Sequence, residues 1–156
     1  MKLKLLFAGI AAVFLVSGLS GCADSESPTM TVNLSGTIGV PADVQGSGKT
    51  VTVSLYHAWA LDGELRHPIE FIESFATTLG DYDHAFEYPL DGGEGLLVYA
   101  WVDSDGDRVH CTPTVRIDRA GLIEVASFPA ADVVADIILD TPCAGPDWFY
   151  PPAVNE

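Results

Sequence analysis

Three aspartates follow a strongly apolar segment in the middle of the chain. Asp103, Asp105 and Asp107 are spaced two residues apart around Gly106, and the stretch ends at Cys111. Carboxylates with this spacing on a tight loop can converge on one ion, and Ca²⁺ takes about six to eight oxygen ligands. The pattern therefore predicts a weak Ca²⁺ site formed by Asp103, Asp105 and Asp107.

The loop differs from an EF-hand, which has glycine at the sixth position and a bidentate glutamate at the twelfth. Counting from Asp103, these positions are Arg108 and Thr114, so an EF-hand is excluded. A looser site needs further oxygens from a neighbouring turn, such as 62–64 or 91–94. The alternative is a solvated acidic hairpin in which Arg108 balances part of the charge. The spacing alone leaves both interpretations open.

Other residue types that carry chemistry do not form a recognisable catalytic pattern. The sequence has no phosphate-binding glycine loop, no nucleophile elbow and no paired carboxylates in a cleft pattern. His110 and Cys111 are adjacent, but neighbouring residues of a strand point to opposite faces. This pair is therefore a poor candidate for a nucleophile and its base. Trp59, Tyr99 and Trp101 are candidates for stacking on a sugar, although aromatic residues that alternate along strands more often pack in a core. We therefore expect a protein that is not an enzyme.

The aspartates are positioned by the segment that precedes them. Residues 96–102 form a run of apolar, β-branched and aromatic side chains bounded by Gly95 and Asp103, which predicts a strand buried on both faces. Alternation with period two predicts half-buried strands at 30–38, 51–59, 82–90 and 133–139. Less regular strands are predicted at 69–78, 112–117 and 122–128. Turns are predicted at 62–63, 80–81, 91–93 and 120–121.

The order of these features resembles transthyretin-like and carboxypeptidase-regulatory-like β-sandwich modules. The matching segments are an aromatic strand at 86–88, the central strand at 95–103, the acidic loop at 105–107 and a closing strand at 132–140. The resemblance implies an all-β, Greek-key β-sandwich of about seven or eight strands, which the recurrence of Gly and Pro at strand intervals also favours. No catalytic residue carries over, because the chain lacks the C-terminal Tyr-Arg-Gly-Ser signature of the hydrolytic relatives.

The N-terminus resembles the signal of bacterial lipoproteins. Two lysines precede an apolar run at 5–16, which is shorter than the roughly 20 residues that span a bilayer. Leu-Ser-Gly-Cys at 19–22 fits the lipobox. The resemblance implies a signal peptide at 1–21, cleavage before Cys22 and lipidation of Cys22 with a diacylglyceryl thioether and a further acyl chain such as palmitate. Two or three chains anchor a protein firmly. An ordinary secretory signal with an incidental cysteine is the alternative.

Cleavage would leave a mature chain of 135 residues with a strong acidic excess. Five basic residues remain against 22 acidic ones, a formal charge of −17. Such a charge repels nucleic acid and anionic lipid head groups, so we exclude nucleic-acid binding as a main function. We predict a flexible tether at 22–29, a β-sandwich domain at 30–142 and a C-terminal tail at 143–156. The proline- and aromatic-rich tail is either a strap over the strands or a segment that docks a partner.

The cysteine count fits a compartment outside the cytoplasm. With Cys22 used for lipid, Cys111 and Cys143 remain as an even pair, which predicts a disulfide bond in an oxidising space; two free thiols are the alternative. Ala23 favours the outer membrane, because relatives retained in the inner membrane tend to carry Asp there. We expect a membrane-anchored, non-enzymatic binding or structural module of the cell envelope with a protein or glycan partner. An envelope enzyme or a carbohydrate-binding module is the alternative.

Overall fold

A computed structural model describes residues 28–42, 48–61, 64–90, 95–125 and 128–146, with side chains omitted at 59–61 and 64–69. The predicted signal, Cys22, residues 147–156 of the tail, and the turns at 62–63 and 91–93 lie outside these ranges. The described ranges contain no helix long and apolar enough to cross a bilayer. The described elements are β1 (Thr29–Gly39), β2 (Thr50–Leu61), β3 (Glu64–Thr78), β4 (Gly80–Pro89), β5 (Gly95–Val102), β6 (Arg119–Val125), β7 (Asp132–Val134), β8 (Ile137–Ile138) and β9 (Thr141–Pro142).

The strands form two sheets, which confirms the predicted all-β sandwich. One sheet has the order β4-β1-β7, with β8 also paired to β1, and the other has the order β3-β2-β5-β6-β9. All pairs are antiparallel except those of β1 with β7 and β8. β7 and β8 together form the predicted closing strand, interrupted at residues 135–136.

The core lies between the two sheets and is built by the alternation seen in the sequence. β5 is central in the five-stranded sheet and is buried on both faces, as predicted for an apolar run without alternation. Its core-facing side chains pack with those of β2 and of the opposite sheet. The inward residues of β2 and β5 are Val51, Val53, Leu55, Leu96, Val98, Ala100 and Val102.

The prediction of a turn at 120–121 is wrong, because both residues lie inside β6. Gly121 occurs there because the neighbouring chain approaches closely. A Cβ atom at this position would lie 2.3 Å from the carbonyl oxygen of Ile138. The glycine therefore permits backbone packing, a requirement that is indistinguishable from a turn signal in the sequence.

The prediction of a strand at 112–117 is also wrong. This stretch is an irregular loop in which the amide of Thr112 donates to the carbonyl of Val115 (2.9 Å). The amide of Val115 donates in return to the hydroxyl of Thr112 (3.0 Å). Pro113 cannot donate to a sheet, and this local turn satisfies backbone groups that a strand would pair elsewhere.

Candidate functional site

The acidic loop, residues 103–118, connects β5 to β6 and begins with a buried carboxylate. Asp103 is only 5% exposed. One of its oxygens accepts a hydrogen bond from the amide of Gly106 (2.7 Å) and the other from the amide of Arg108 (3.0 Å). Gly106 and Arg108 both have left-handed backbone conformations, with φ of 83° and 64°. Asp103 therefore fixes a tight turn directly after the central strand.

A second buried carboxylate holds the two ends of the loop together. Asp118 is 1% exposed and precedes β6. Its oxygens accept hydrogen bonds from the amides of Ser104 (2.7 Å) and Cys111 (2.9 Å), and its main-chain carbonyl accepts from the amide of Cys143 (3.0 Å). Asp118 therefore joins the start of the loop, its middle and the segment after β9.

The predicted disulfide between Cys111 and Cys143 is present, with a Cα–Cα distance of 5.6 Å and a sequence separation of 32. It lies beside Asp118, whose side chain and main chain accept from the amides of the two cysteines. The loop is therefore attached covalently to the segment that follows the last strand.

A hydrogen-bonded chain of side chains lies beneath the loop on the outer face of β5. The hydroxyl of Tyr99 donates to the carbonyl of Ala144 (2.7 Å), and Nδ1 of His110 lies 3.1 Å from the same hydroxyl. Because a tyrosine hydroxyl has one proton, Nδ1 of His110 must carry its own proton and donate it. Nε2 of the neutral imidazole then bears the lone pair, and it is buried without a hydrogen-bond partner among the described residues.

The surroundings of Tyr99 and His110 favour the uncharged form of both side chains. Burial lowers the pKa of His110, and the nearby Asp118 carboxylate partly opposes that change. Burial also raises the pKa of Tyr99, with smaller contributions from Tyr56 and Asp118. Both shifts follow from the cost of placing a charge in a partly desolvated site.

Three carboxylates of the loop converge in a way that would suit a cation. Asp103, Asp105 and Asp118 each offer an oxygen, and these oxygens lie within 4.8 Å of one another. At that separation two unit charges repel by about 1 kcal/mol in water and about 3–4 kcal/mol at an effective dielectric constant of 20. Three carboxylates form three such pairs, and the four hydrogen bonds from backbone amides to Asp103 and Asp118 counter part of this repulsion.

The members of this cluster differ from the predicted set in one position. Asp103 and Asp105 belong to it, and the third carboxylate is Asp118 in place of Asp107. The exposed Asp107 accepts a hydrogen bond from the amide of Val109 (2.7 Å), and the exposed Asp105 accepts from the amide of Asp107 (3.1 Å). Further ligands were expected from the turns at 62–64 and 91–94, but residues 62–63 and 91–94 and the side chain of Glu64 lie outside the described set.

Sequence reasoning missed Asp118 because its partners are distant along the chain. The amides that it binds belong to residues 14 and seven positions away. An isolated aspartate before a strand has no local pattern that reveals such contacts. The one available signal was the need of a long, irregular loop to satisfy its backbone amides.

A cavity of about 530 Å³ lies between the acidic loop and the outer face of the five-stranded sheet. Trp101, one of the three aromatic candidates, lines it and also stacks on His110 with a centroid distance of 5.0 Å. Tyr99 is buried, and the side chain of Trp59 lies outside the described set. The other lining residues are Thr50, Thr52, Ala76, Asp103, Gly106 and Arg108.

Comparisons of the chain with protein-family models, with curated proteins and with solved structures give no match.

Proposed function

We propose that this protein is a lipid-anchored module of the cell envelope that binds a ligand or a partner without catalysing a reaction. The observation that carries the proposal is the convergence of Asp103, Asp105 and Asp118 on one rigid loop of a β-sandwich. The transthyretin-like resemblance belongs to this proposal, and the two packed sheets support it at the level of architecture.

The reactive side chains of the loop are already used in a disulfide and in hydrogen bonds within the protein, which supports binding over catalysis. Cys111 is in a disulfide, both oxygens of Asp103 accept backbone amides, and His110 donates to Tyr99. Groups used in this way stabilise the loop. They are poorly placed to exchange protons with a substrate, which general acid–base catalysis requires.

We further propose that the carboxylate cluster binds Ca²⁺ weakly. Each carboxylate oxygen that accepts one amide keeps a second lone pair for a metal. Asp105 is exposed, so an ion can reach the cluster from solvent. Extracellular modules function with dissociation constants of about 10⁻⁴–10⁻³ M, so the loop does not need the full ligand set of an EF-hand.

Thermal unfolding with Ca²⁺ or Mg²⁺ at constant ionic strength tests the calcium proposal. Ca²⁺ at ten times its Kd should add about 1.4 kcal/mol of stability, because it binds only the folded state. Asp105→Asn should abolish this gain. Asp107→Asn is the matched control, since it also neutralises an exposed aspartate with one backbone contact, outside the cluster. Equal responses to both cations, or of both variants, would show that the loop is a solvated acidic turn.

The lipid anchor is tested separately on the native protein. Mass spectrometry of protein purified from envelopes should find an N-terminus at an acylated Cys22. An intact Met1, or cleavage elsewhere with a free thiol at Cys22, would refute lipidation and leave the cation experiment unaffected.

A further inference from the structure

The cavity beside the acidic loop has the form of a small trough on the outer face of the sheet. Trp101, Thr52 and Ala76 are direct cross-strand neighbours on β5, β2 and β3. Thr50 lies two residues from Thr52 and therefore on the same face. The large indole of Trp101 therefore lies beside three small side chains, and all four residues line the cavity.

The acidic loop forms the opposite side of the trough, and its shape is fixed in advance. Gly106 and Arg108 line the cavity, and their amides are bound by the buried Asp103. Arg108 has a left-handed backbone conformation, with φ of 64°, and this conformation sets the direction in which its side chain leaves the loop. A site formed by a rigid sheet and an anchored loop loses little conformational entropy when a ligand binds.

The chemistry of the lining is mixed and nearly balanced in charge. The lining residues include one tryptophan, two threonines, one arginine and one aspartate, around a volume within the usual range of ligand pockets, about 300–1,000 Å³. Within the described part of the chain, the side chains of Thr50, Thr52 and Arg108 form no hydrogen bond or ion pair. These donors and acceptors are therefore available to a ligand.

Charge selects among the ligands that such a trough would accept. The acidic excess of the chain, −15 for the full sequence, disfavours small anions. Arg108 and Asp103 both line the cavity and carry opposite charges, so the lining favours neither a cationic nor an anionic organic ligand. A neutral ring offers an apolar face to Trp101 and several hydroxyl groups to the threonines and the guanidinium.

We propose that this cavity binds a neutral pyranose unit of a glycan, with Trp101 stacking on the sugar ring and with Thr50, Thr52 and Arg108 contacting its hydroxyls. The inference rests on the proposed binding function and names its ligand class. It does not require the calcium site or the lipid anchor.

Calorimetric titration of the full-length protein, in a detergent without a sugar head group, tests the assignment. The probes are chitotriose, cellotriose and maltotriose, with adenosine as a flat aromatic ligand of different chemistry. We expect at least one trimer to bind, and to bind equally in the presence of a chelator. Trp101→Ala should weaken binding by at least about tenfold, which corresponds to 1.4 kcal/mol.

A second variant is needed because Trp101 also stacks on His110, so that Trp101→Ala removes a packing contact as well as part of the cavity lining. Ala76→Phe fills the trough from an exposed position of β3 without altering Trp101, and should also weaken binding by at least about tenfold. Ala85→Phe is the matched control, because Ala85 is also exposed and lies on β4 of the other sheet. Ala85→Phe should bind the trimer like the wild type.

The possible outcomes separate this inference from the proposed function. Failure of all three trimers at millimolar concentration, trimer binding that is insensitive to Ala76→Phe, or adenosine in place of a trimer would overturn the pyranose assignment. Cleavage of a bound trimer would instead contradict the non-enzymatic function, while sensitivity to Ala76→Phe would still support the cavity as the sugar site.

Discussion

Two aspartates with almost no exposed surface organise the acidic loop. Asp103 and Asp118 together bind four backbone amides that the irregular chain cannot pair within a sheet. An ionised carboxylate is well suited to this because both oxygens accept and neither donates. Both aspartates have structural roles in the loop, whereas Asp105, the third member of the cluster, is exposed and accepts a single backbone amide.

Replacing Asp118 tests its structural role. Asp118→Asn keeps the shape of the side chain but replaces one of its oxygens with an NH₂ group. Either the amide of Ser104 or that of Cys111 then loses its acceptor. We expect a loss of about 1–3 kcal/mol in the free energy of unfolding, measured with urea. Asp107→Asn, which alters an exposed carboxylate, should change it by about 0.5 kcal/mol or less. Equal losses would contradict the role assigned to Asp118.

The pH dependence of stability tests the environment of His110. Because burial lowers the pKa of this residue, the unfolded chain binds a proton at a higher pH than the folded chain does. Stability should then fall as pH drops below about 6.5, the ordinary value for histidine, towards the lowered pKa.

The comparison with His110→Gln isolates this contribution from other titrating groups. Between pH 7.5 and about 5.5, the wild type should lose stability relative to the variant in urea unfolding. A constant difference between the two proteins across this range would mean that His110 has the same pKa in both states.

At the level of elements, a close backbone crossing closes one side of the sandwich. After β7, the chain first pairs with β1 as strand β8 and then pairs with β6 as strand β9. It passes Gly121 so closely that no side chain fits between them. The interior of β6 is thus shaped by packing from the opposite sheet.

Gly121→Ala should destabilise the protein by at least about 1–3 kcal/mol, because the new methyl group meets backbone that cannot move aside easily. Thermal or urea unfolding measures the effect. Gly145→Ala provides the control, since a Cβ there meets nothing within 4 Å. Similar stability of the two variants would indicate that the crossing is looser than the structure describes.

The disulfide connects the acidic loop to the segment after β9, across 32 residues. In the chain-entropy account, a closed loop of this length contributes roughly 3–4 kcal/mol. The double variant Cys111→Ser/Cys143→Ser should lose about that much stability in urea unfolding. Non-reducing peptide mapping of envelope-expressed protein provides the covalent check, and two free thiols would refute the bond.

For the whole molecule, the acidic excess should make stability depend on salt. The 22 acidic residues repel one another across a domain with few cations. Raising NaCl from about 20 to 500 mM shortens the Debye length from roughly 20 Å to below 5 Å, so the melting temperature should rise. A melting temperature that is independent of NaCl would show that the charges are already balanced locally. NaCl also provides the baseline for separating screening from Ca²⁺ binding.

The sequence alone determined the features that depend on short-range pattern. The alternation along β1 and β4 and the apolar run of β5 follow from which faces must be buried, and the all-β sandwich follows from these strands. The cysteine count, with Cys22 assigned to lipid, favoured a bond between Cys111 and Cys143 over two free thiols, and the structure contains that bond. Sequence patterns gave a wrong prediction where one residue type has two possible uses. Gly121 was predicted to mark a turn, but it lies inside a strand and permits close backbone packing.

Only the tertiary structure decided the composition of the candidate sites. Asp118 joins Asp103 and Asp105 because β6 runs antiparallel to β5, which brings the two ends of the loop together. Thr52 and Ala76 meet Trp101 because three strands pair in one register. Pattern reveals the face on which a residue lies, whereas strand pairing and loop closure determine its neighbours, and these depend on contacts distant in sequence.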